Sequence, residues 1–264
     1  MRLAVVTTTL FALVFPMRQA WAQKAAIEVD LALVLAVDVS LSMDLEEQRI
    51  QREGYIAAFR SDAVQTAIRQ GLIGRIAVTY VEWAGVGSRY VVVPWTVIGT
   101  VAEAEGFAVQ LTRARPKRAI WTSISAALDL SLDLLRVAGV EPTRRVIDMS
   151  GDGPNNQGRE VTQARDDAVA AGIVINGLPL MISAPTGPYD IPDLDLYYRD
   201  CVIGGPGAFM VPVRGIAEFA TAIRTKIVRE VADAAVPAPR VQQAQAFSTA
   251  RCAATGRRGG DFDP

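Results

Sequence analysis

The chain has 264 residues, of which 50% are hydrophobic, and its mean hydropathy of +0.22 indicates a large buried core. Its formal charge at pH 7 is −1, so it lacks the basic excess that is typical of proteins that bind nucleic acid. It contains no histidine, which excludes Ser-His-Asp and Cys-His catalysis and any zinc site built on imidazole.

The first 22 residues have the pattern of a secretory signal peptide. Arg2 precedes an apolar stretch, and Ala20-Trp21-Ala22 is a small-x-small site with cleavage expected before Gln23. The alternative is an uncleaved anchor, but Arg18 leaves fewer apolar residues than the ~20 that a membrane-spanning helix needs. We therefore expect an exported protein, periplasmic or secreted, with no membrane span in the mature chain.

A polar cluster follows the first apolar run. Residues 29–37 are mostly branched and apolar and too few to span a membrane, which predicts a buried strand of a parallel sheet. Asp38, Ser40 and Ser42 come next, and alternate residues of an extended backbone share one side. Three oxygen donors would then converge where open α/β sheets bind ligands. They suit Mg²⁺, and Ca²⁺ or Mn²⁺ would suit them as well. The alternative is that the serines only cap the next helix.

A helix and a hairpin are predicted next. Asp44 is a candidate N-cap for the helix. The expected buried stripe of that helix consists of Ile56, Phe59, Ala63 and Ala67. Residues 75–83 and 89–95 predict two strands joined by a short turn. Pro94 cannot donate to a ladder, so the second strand should be an antiparallel edge strand. Each strand contains a tryptophan, and both are expected to pack in the core or the hairpin.

The rest of the chain alternates helical and strand patterns. Helices are predicted over residues 100–114, 122–137 and 158–172, and strands over residues 144–150, 173–180 and 208–213. The closing helix is marked by Ile216, Phe219, Ile223 and Ile227. Pro212 predicts an edge position for the last strand. Strands that alternate with helices predict a doubly wound, mostly parallel α/β sheet with one antiparallel edge strand and helices on both faces.

Three segments do not belong to this alternation. The basic run 113–118 is interpreted as a solvated loop, with an anion site as the alternative. The irregular insert 183–207 should overhang the metal edge, either touching a ligand or forming a passive surface loop. Residues 233–264 show no periodicity and are expected to be a disordered tail.

Cys201 and Cys252 are the only cysteines. An exported chain meets an oxidising compartment, where the two could form a disulfide. Two free thiols or an intermolecular bond are the alternatives.

The motif Asp38-x-Ser40-x-Ser42 after an apolar first strand resembles the metal-ion-dependent adhesion site (MIDAS) of von Willebrand factor A (vWA) domains. That family completes its site with a threonine from a central loop and an aspartate after a later strand. The resemblance implies Thr122 and Asp152 in these roles, and it covers about residues 28–232. More narrowly, the chain resembles exported bacterial proteins that carry this domain and are grouped as a domain of unknown function.

Two positions depart from the family pattern. Thr122 is usually preceded by small residues, but Trp121 precedes it here, which bears on access to the metal. The usual Thr-Asp-Gly is Gly151-Asp152-Gly153, which retains the carboxylate.

The resemblance implies a non-catalytic module that binds a protein partner through the metal, the partner offering an acidic side chain. One alternative is a Mg²⁺-dependent phosphatase similar to haloacid dehalogenases, with Asp38 as the nucleophile. Those enzymes need carboxylates where this chain has Ser40 and Asn156, and serine is no general acid at ordinary pH. The other alternative is a structural domain with a vestigial site.

Overall fold

The computed structural model describes residues 26–183, 189–232 and Cys252. Its strands are β1 (Ile27–Asp38), β2 (Ile76–Trp83), β3 (Arg89–Ile98), β4 (Val140–Gly151) and β5 (Val174–Pro179). Its helices are α1 (Leu45–Arg60), α2 (Asp62–Arg69), α3 (Val101–Arg113), α4 (Ile124–Arg136), α5 (Val161–Ala170), α6 (Leu194–Tyr197) and α7 (Phe219–Ala232). The predicted signal peptide and, except for Cys252, the predicted tail lie outside the described residues.

The five strands form one sheet in the order β3-β2-β1-β4-β5. Only the β2–β3 pair is antiparallel, so the mostly parallel sheet is confirmed. β3, which contains Pro94, is an edge strand, as the missing N–H of that residue predicts. β1 lies at the centre and is buried from Val29 to Asp38. Its carboxyl end is therefore flanked by the loops that follow both of its neighbours.

Helices cover both faces of the sheet, so β1 is buried on both of its sides. Leu31, Leu33 and Leu35 pack in a core with α1, α2, α3 and α7, whereas Ala32, Val34 and Ala36 pack in a second core with α4 and α5. This alternation is that of a strand with two buried faces. Trp83 is buried, and the half-buried Trp95 donates from Nε1 to the carbonyl of Leu134 across 3.1 Å, so the predicted packing role of both is confirmed. Within the described residues, no helix has the length and apolar character needed to cross a membrane.

The helix predicted after Asp44 is two helices. Asp44 caps α1 as expected, because its carboxylate accepts from the N–H of Glu47 and the Glu47 side chain accepts from the Asp44 N–H. The backbone is extended at Ser61, which ends α1 and caps α2. This break changes the helical phase, so the prediction of a buried Ala63 was wrong. Ala63 is exposed, and Val64 is buried instead.

The prediction of a strand over residues 208–213 was also wrong. The segment pairs with the end of the sheet only through the isolated bridges Gly177–Met210 and Leu180–Val213. Gly205 and Gly207 adopt positive φ just before it, and Pro212 has no N–H to donate, so a continuous ladder does not form. Ile216, expected to be part of the closing helix, is 48% exposed in a 3₁₀ turn before α7.

The insert 183–207 is more regular than predicted. It contains α6 and, directly after it, a π-helical turn, Tyr198–Val202. The turn is ordered by burial, because Tyr197, Tyr198 and Cys201 are all in the second core. The expectation of a wholly irregular loop was therefore wrong for this half of the insert.

Candidate metal centre

The first part of the site is the end of β1. Asp38 is fully buried, and its Oδ1 accepts a 2.7 Å hydrogen bond from the backbone N–H of Ser40. Its Oδ2 is buried and has no hydrogen-bond partner among the described residues. A buried carboxylate oxygen without a donor is costly, so it marks a place where a cation would fit.

The serine pair joins this strand end to the loop after β4. The hydroxyls of Ser40 and Ser42 lie 2.9 Å apart, and the Ser42 hydroxyl donates to Asp152 Oδ1 across 2.8 Å. Arg118 supports the loop that contains the two serines, because its guanidinium donates to the carbonyls of Leu41 and Met43 at 3.0 and 2.8 Å. The basic run is thus in part a structural support rather than only a solvated loop.

Thr122 lies on a third loop, which is hydrogen-bonded to the loop after β4. Its N–H donates to Asn156 Oδ1 and its carbonyl accepts from the Asn156 N–H, both at 2.8 Å. Its hydroxyl lies 3.8 Å from where a Cβ atom at Gly153 would stand, next to Asp152. Thr122 stands at the start of the helix predicted over residues 122–137, but it is not the residue that caps α4. Ser123 caps α4, accepting from the N–H of Ala126, so the Thr122 hydroxyl is not used as the cap.

The structure therefore joins Asp38, Ser40, Ser42 and Asp152 through consecutive hydrogen bonds, with Thr122 on the adjoining loop. The donors are three hydroxyls and two carboxylates, a set of hard oxygen ligands that fits Mg²⁺ or Ca²⁺. The described residues contain no group of three or more cysteine or acidic side chains that could hold a metal.

The two carboxylates are in an unfavourable environment for negative charge. Burial, and then the charge of Asp152, raise the pKa of Asp38 well above its usual value. Burial raises the pKa of Asp152 to about 6, and the nearby carboxylates of Glu47 and Asp190 add to this, although the Ser42 hydrogen bond opposes it. A bound cation would relieve the repulsion among these groups.

Tyr198 is the main residue of the site that the sequence did not indicate. A Cβ atom at Gly151 would stand 2.9 Å from both the Tyr198 hydroxyl and Asp38 Oδ2. Glycine is therefore the residue that fits at position 151, which explains the departure from the family's threonine. Burial, and then the charge of Asp38, raise the pKa of Tyr198 well above its usual value. The run Gly151-Asp152-Gly153 was the only available signal for such close packing.

The insert borders the site, as predicted. The Tyr197 hydroxyl accepts from the N–H of Asn155 at 3.1 Å, and the ring of Tyr189 packs against Trp121 with centroids 6.0 Å apart. The structure also joins Cys201, in the π-helical turn, to Cys252 in a disulfide. Of the three alternatives for the cysteines, the structure thus contains the intramolecular pair.

A family model described as "Protein of unknown function (DUF1194)" matches residues 28–235. The chain belongs to this family. No curated protein is significantly similar to it in sequence. The DUF1194 chain does resemble solved structures, and their similarity identifies its fold as that of vWA domains.

Three of these structures show the extent of the likeness. Proximal thread matrix protein 1 from the mussel byssus has a TM-score of 0.57 and 14% identity, covering 80% of this chain and 49% of the mussel chain. The pilus adhesin SpaC from Lactobacillus rhamnosus GG has a TM-score of 0.58 and 12% identity, covering 80% and 30%. A von Willebrand factor type A protein from Catenulispora acidiphila has a TM-score of 0.55 and 12% identity, covering 77% and 43%.

The DUF1194 chain spans less than half the length of each of these proteins. A further structure of the mussel protein, with a TM-score of 0.52 and 13% identity, has zinc in its MIDAS motif and covers 80% of this chain and 49% of the mussel chain.

Proposed function

We propose that this DUF1194 chain is an exported, non-catalytic vWA module that binds a divalent cation through Asp38, Ser40, Ser42, Thr122 and Asp152. One observation supports this above the others. The Ser42 hydroxyl reaches Asp152 at 2.8 Å across 110 residues of sequence, beside an Asp38 oxygen that has no donor in the described part of the chain. The zinc found in the MIDAS motif of the mussel protein lends the proposal further support.

We propose Mg²⁺ as the resident cation, with Ca²⁺ or Mn²⁺ as substitutes. Ser40, Ser42 and Thr122 would offer neutral hydroxyl oxygens, and Asp38 and Asp152 would act directly or through bound water. Mg²⁺ prefers such oxygen donors and keeps several waters. A cation with few anionic ligands would retain part of its charge, so it would attract an anionic ligand from outside.

We propose that a protein partner supplies this ligand with an acidic side chain. Without the cation, Asp152 would repel such a carboxylate, and Glu47 and Asp190 lie close enough to add negative charge around it, since both raise its pKa. The metal would reverse this repulsion, so partner binding should depend strictly on the cation. That the structural neighbours include an adhesin and a matrix protein agrees with a binding role.

Calorimetric titration with MgCl₂ tests the cation site. The wild type should bind one equivalent, and Asp152→Asn should bind much more weakly. Glu141→Gln is the matched control, because Glu141 lies on the same strand as the site but near its other end and is exposed. A vestigial site would give no heat with either protein, and an unchanged affinity in Asp152→Asn would move the site elsewhere.

Partner binding and export need separate tests. A pull-down from the envelope fraction of the source organism should retain a protein in Mg²⁺ that EDTA releases. Retention that is indifferent to EDTA would contradict the metal-mediated contact.

The mature protein should begin at Gln23 by N-terminal sequencing, and a secreted chain that still begins at Met1 would refute the signal peptide.

A further inference from the structure

Large apolar side chains are exposed around the candidate metal centre. Leu41 is 50% exposed, Ile120 65%, Trp121 39% and Tyr189 37%. We name these four residues the apolar rim. Exposed apolar residues that are scattered singly are ordinary, but a contiguous group beside a binding site indicates an interaction surface.

The rim residues lie on adjoining segments, and three of them share their loops with the proposed ligands. The N–H of Leu41 donates to the carbonyl of Ala119 at 3.0 Å, so its loop runs beside the one that contains Ile120. The Trp121 ring meets the Tyr189 ring edge to face, with centroids 6.0 Å apart. Leu41 lies between the two serines, and Trp121 directly precedes Thr122.

Trp121 has an unusual backbone for its type. Its φ is 72°, and it is the one non-glycine residue with positive φ in the described ranges. A bulky side chain in this region is strained, at about 1 kcal/mol or more, and such strain concentrates at functional sites. Glycine would adopt this backbone freely, yet the chain places a tryptophan there and leaves over a third of the residue exposed.

We propose that the apolar rim selects partner segments in which the acidic residue is flanked by a leucine or another large apolar side chain. This inference depends on the proposed function, since the cation would fix the carboxylate and so bring the flanking residues onto the rim. The charge arrangement favours this occupant. The negative charge that Glu47 and Asp190 place near Asp152 disfavours further acidic groups in the partner, so apolar neighbours of the one bound carboxylate are favoured.

The test uses fluorescein-labelled peptides that differ only around a central residue: Leu-Asp-Leu, Ser-Asp-Ser and Leu-Asn-Leu. Binding is measured by anisotropy with the full chain at saturating Mg²⁺ and again in EDTA. The Leu-Asp-Leu peptide should bind about tenfold more tightly than Ser-Asp-Ser, the gain expected from burying one leucine side chain. The asparagine peptide and EDTA should each abolish binding.

Trp121→Gly removes the indole and relaxes the backbone, and Tyr189→Ala removes the other ring without touching the Thr122 loop. Each should reduce the leucine preference to less than about twofold at saturating Mg²⁺. Leu72→Ser is the matched control, because Leu72 is exposed but lies before β2, at the opposite edge of the sheet. It should keep the full preference.

Several outcomes would overturn the inference. Equal affinity for the leucine and serine peptides in Mg²⁺ would refute the rim but leave the cation site intact, and calorimetry without any Mg²⁺ binding would refute the proposed function itself. Leucine-dependent binding that persists in EDTA would contradict the coupling to a carboxylate. A Mg²⁺-dependent dimer in sedimentation, lost in Trp121→Gly, would assign the rim to a second copy of the chain instead.

Discussion

Ser42 donates a hydrogen bond to Asp152 across 2.8 Å, although 110 residues separate them in the sequence. The contact exists because β1 and β4 are parallel neighbours whose carboxyl ends meet at one edge. It joins the two loops that supply both carboxylates of the candidate site.

Asp38 is expected to lower stability in the metal-free protein. Its Oδ2 is buried without a donor in the described structure, and burial raises its pKa. Asp38→Asn should therefore raise the free energy of unfolding by about 1 kcal/mol in EDTA, since it removes an uncompensated buried charge. The same variant should lose the Mg²⁺-dependent rise in melting temperature that a native-state ligand causes. Urea titration and thermal melts check both. A variant that is less stable in EDTA and still responds to Mg²⁺ would contradict the role of Asp38.

Arg118 is expected to act on the cation site through the loop that it supports. Arg118→Ala removes the donors to the carbonyls of Leu41 and Met43 and should weaken Mg²⁺ binding roughly tenfold or more, as loss of an outer support usually does. Arg115→Ala, in the same basic run and also exposed, is the control and should bind as the wild type does. If calorimetry shows that Arg118→Ala binds Mg²⁺ as tightly as Arg115→Ala and the wild type do, the loop does not need Arg118.

A buried ionic cluster in the first core predicts a pH dependence of stability. Lys226 forms ion pairs with Asp148 and Glu230, and all three side chains are buried. Burial, and then the charge of Asp148, raise the pKa of Glu230 from its ordinary 4.5 to about 7. Between pH 4.5 and 7, Glu230 is therefore largely protonated in the folded protein, whereas in the unfolded chain it has largely released its proton. Stability from this group is present at low pH and is lost as the pH rises through that window.

Glu230→Gln should remove this loss. The free energy of unfolding of the variant minus that of the wild type should be larger at pH 8 than at pH 4.5. The increase should be about 3 kcal/mol at most. The Gln oxygen can still accept from Lys226 and Asn176, as Glu230 Oε1 does now. Urea unfolding at the two pH values gives the comparison, and the difference between the proteins cancels the other titrating groups. A difference that does not vary with pH would mean that Glu230 titrates normally.

The disulfide is expected to stabilise the chain mainly by restricting its unfolded state. Cys201 and Cys252 are 51 residues apart, and closing a loop of that size contributes roughly 4 kcal/mol in the chain-entropy model. The double variant Cys201→Ser/Cys252→Ser should lose about this amount in guanidinium unfolding. Reduced wild type should behave like the variant. Two alkylatable thiols in the unreduced protein would refute the pairing.

The sequence predicted the sheet because its signals were local and consistent. The apolar run within β1 indicated a buried strand of a parallel sheet, and Pro94 indicated an edge, and both are confirmed. The break at Ser61 was missed because the serine is compatible with a helix, and only its extended backbone reveals the change of phase. The strand predicted at residues 208–213 failed because preceding glycines and Pro212 interrupt pairing, which periodicity does not register.

The candidate site was predictable in part. The resemblance indicated five positions, and the structure brings them to adjoining loops. Tyr198 and Arg118 were not predicted as parts of the site, since one is buried through a π-helical turn and the other acts on backbone carbonyls far along the chain. The burial of Lys226 was equally unpredictable from the sequence, because it depends on ion pairs with two acids from different elements. Contacts of this kind depend on tertiary packing and leave no periodic signal.

Anomalous diffraction from crystals grown with MnCl₂ tests the central proposal most directly. We predict a single manganese peak at the carboxyl edge of the sheet, within direct coordination distance, about 2.2 Å, of the Ser40 and Ser42 hydroxyls and bordered by Thr122, Asp38 and Asp152. A peak at another position, or no peak at this edge at saturating manganese, would contradict the cation site and with it the proposed mode of partner binding.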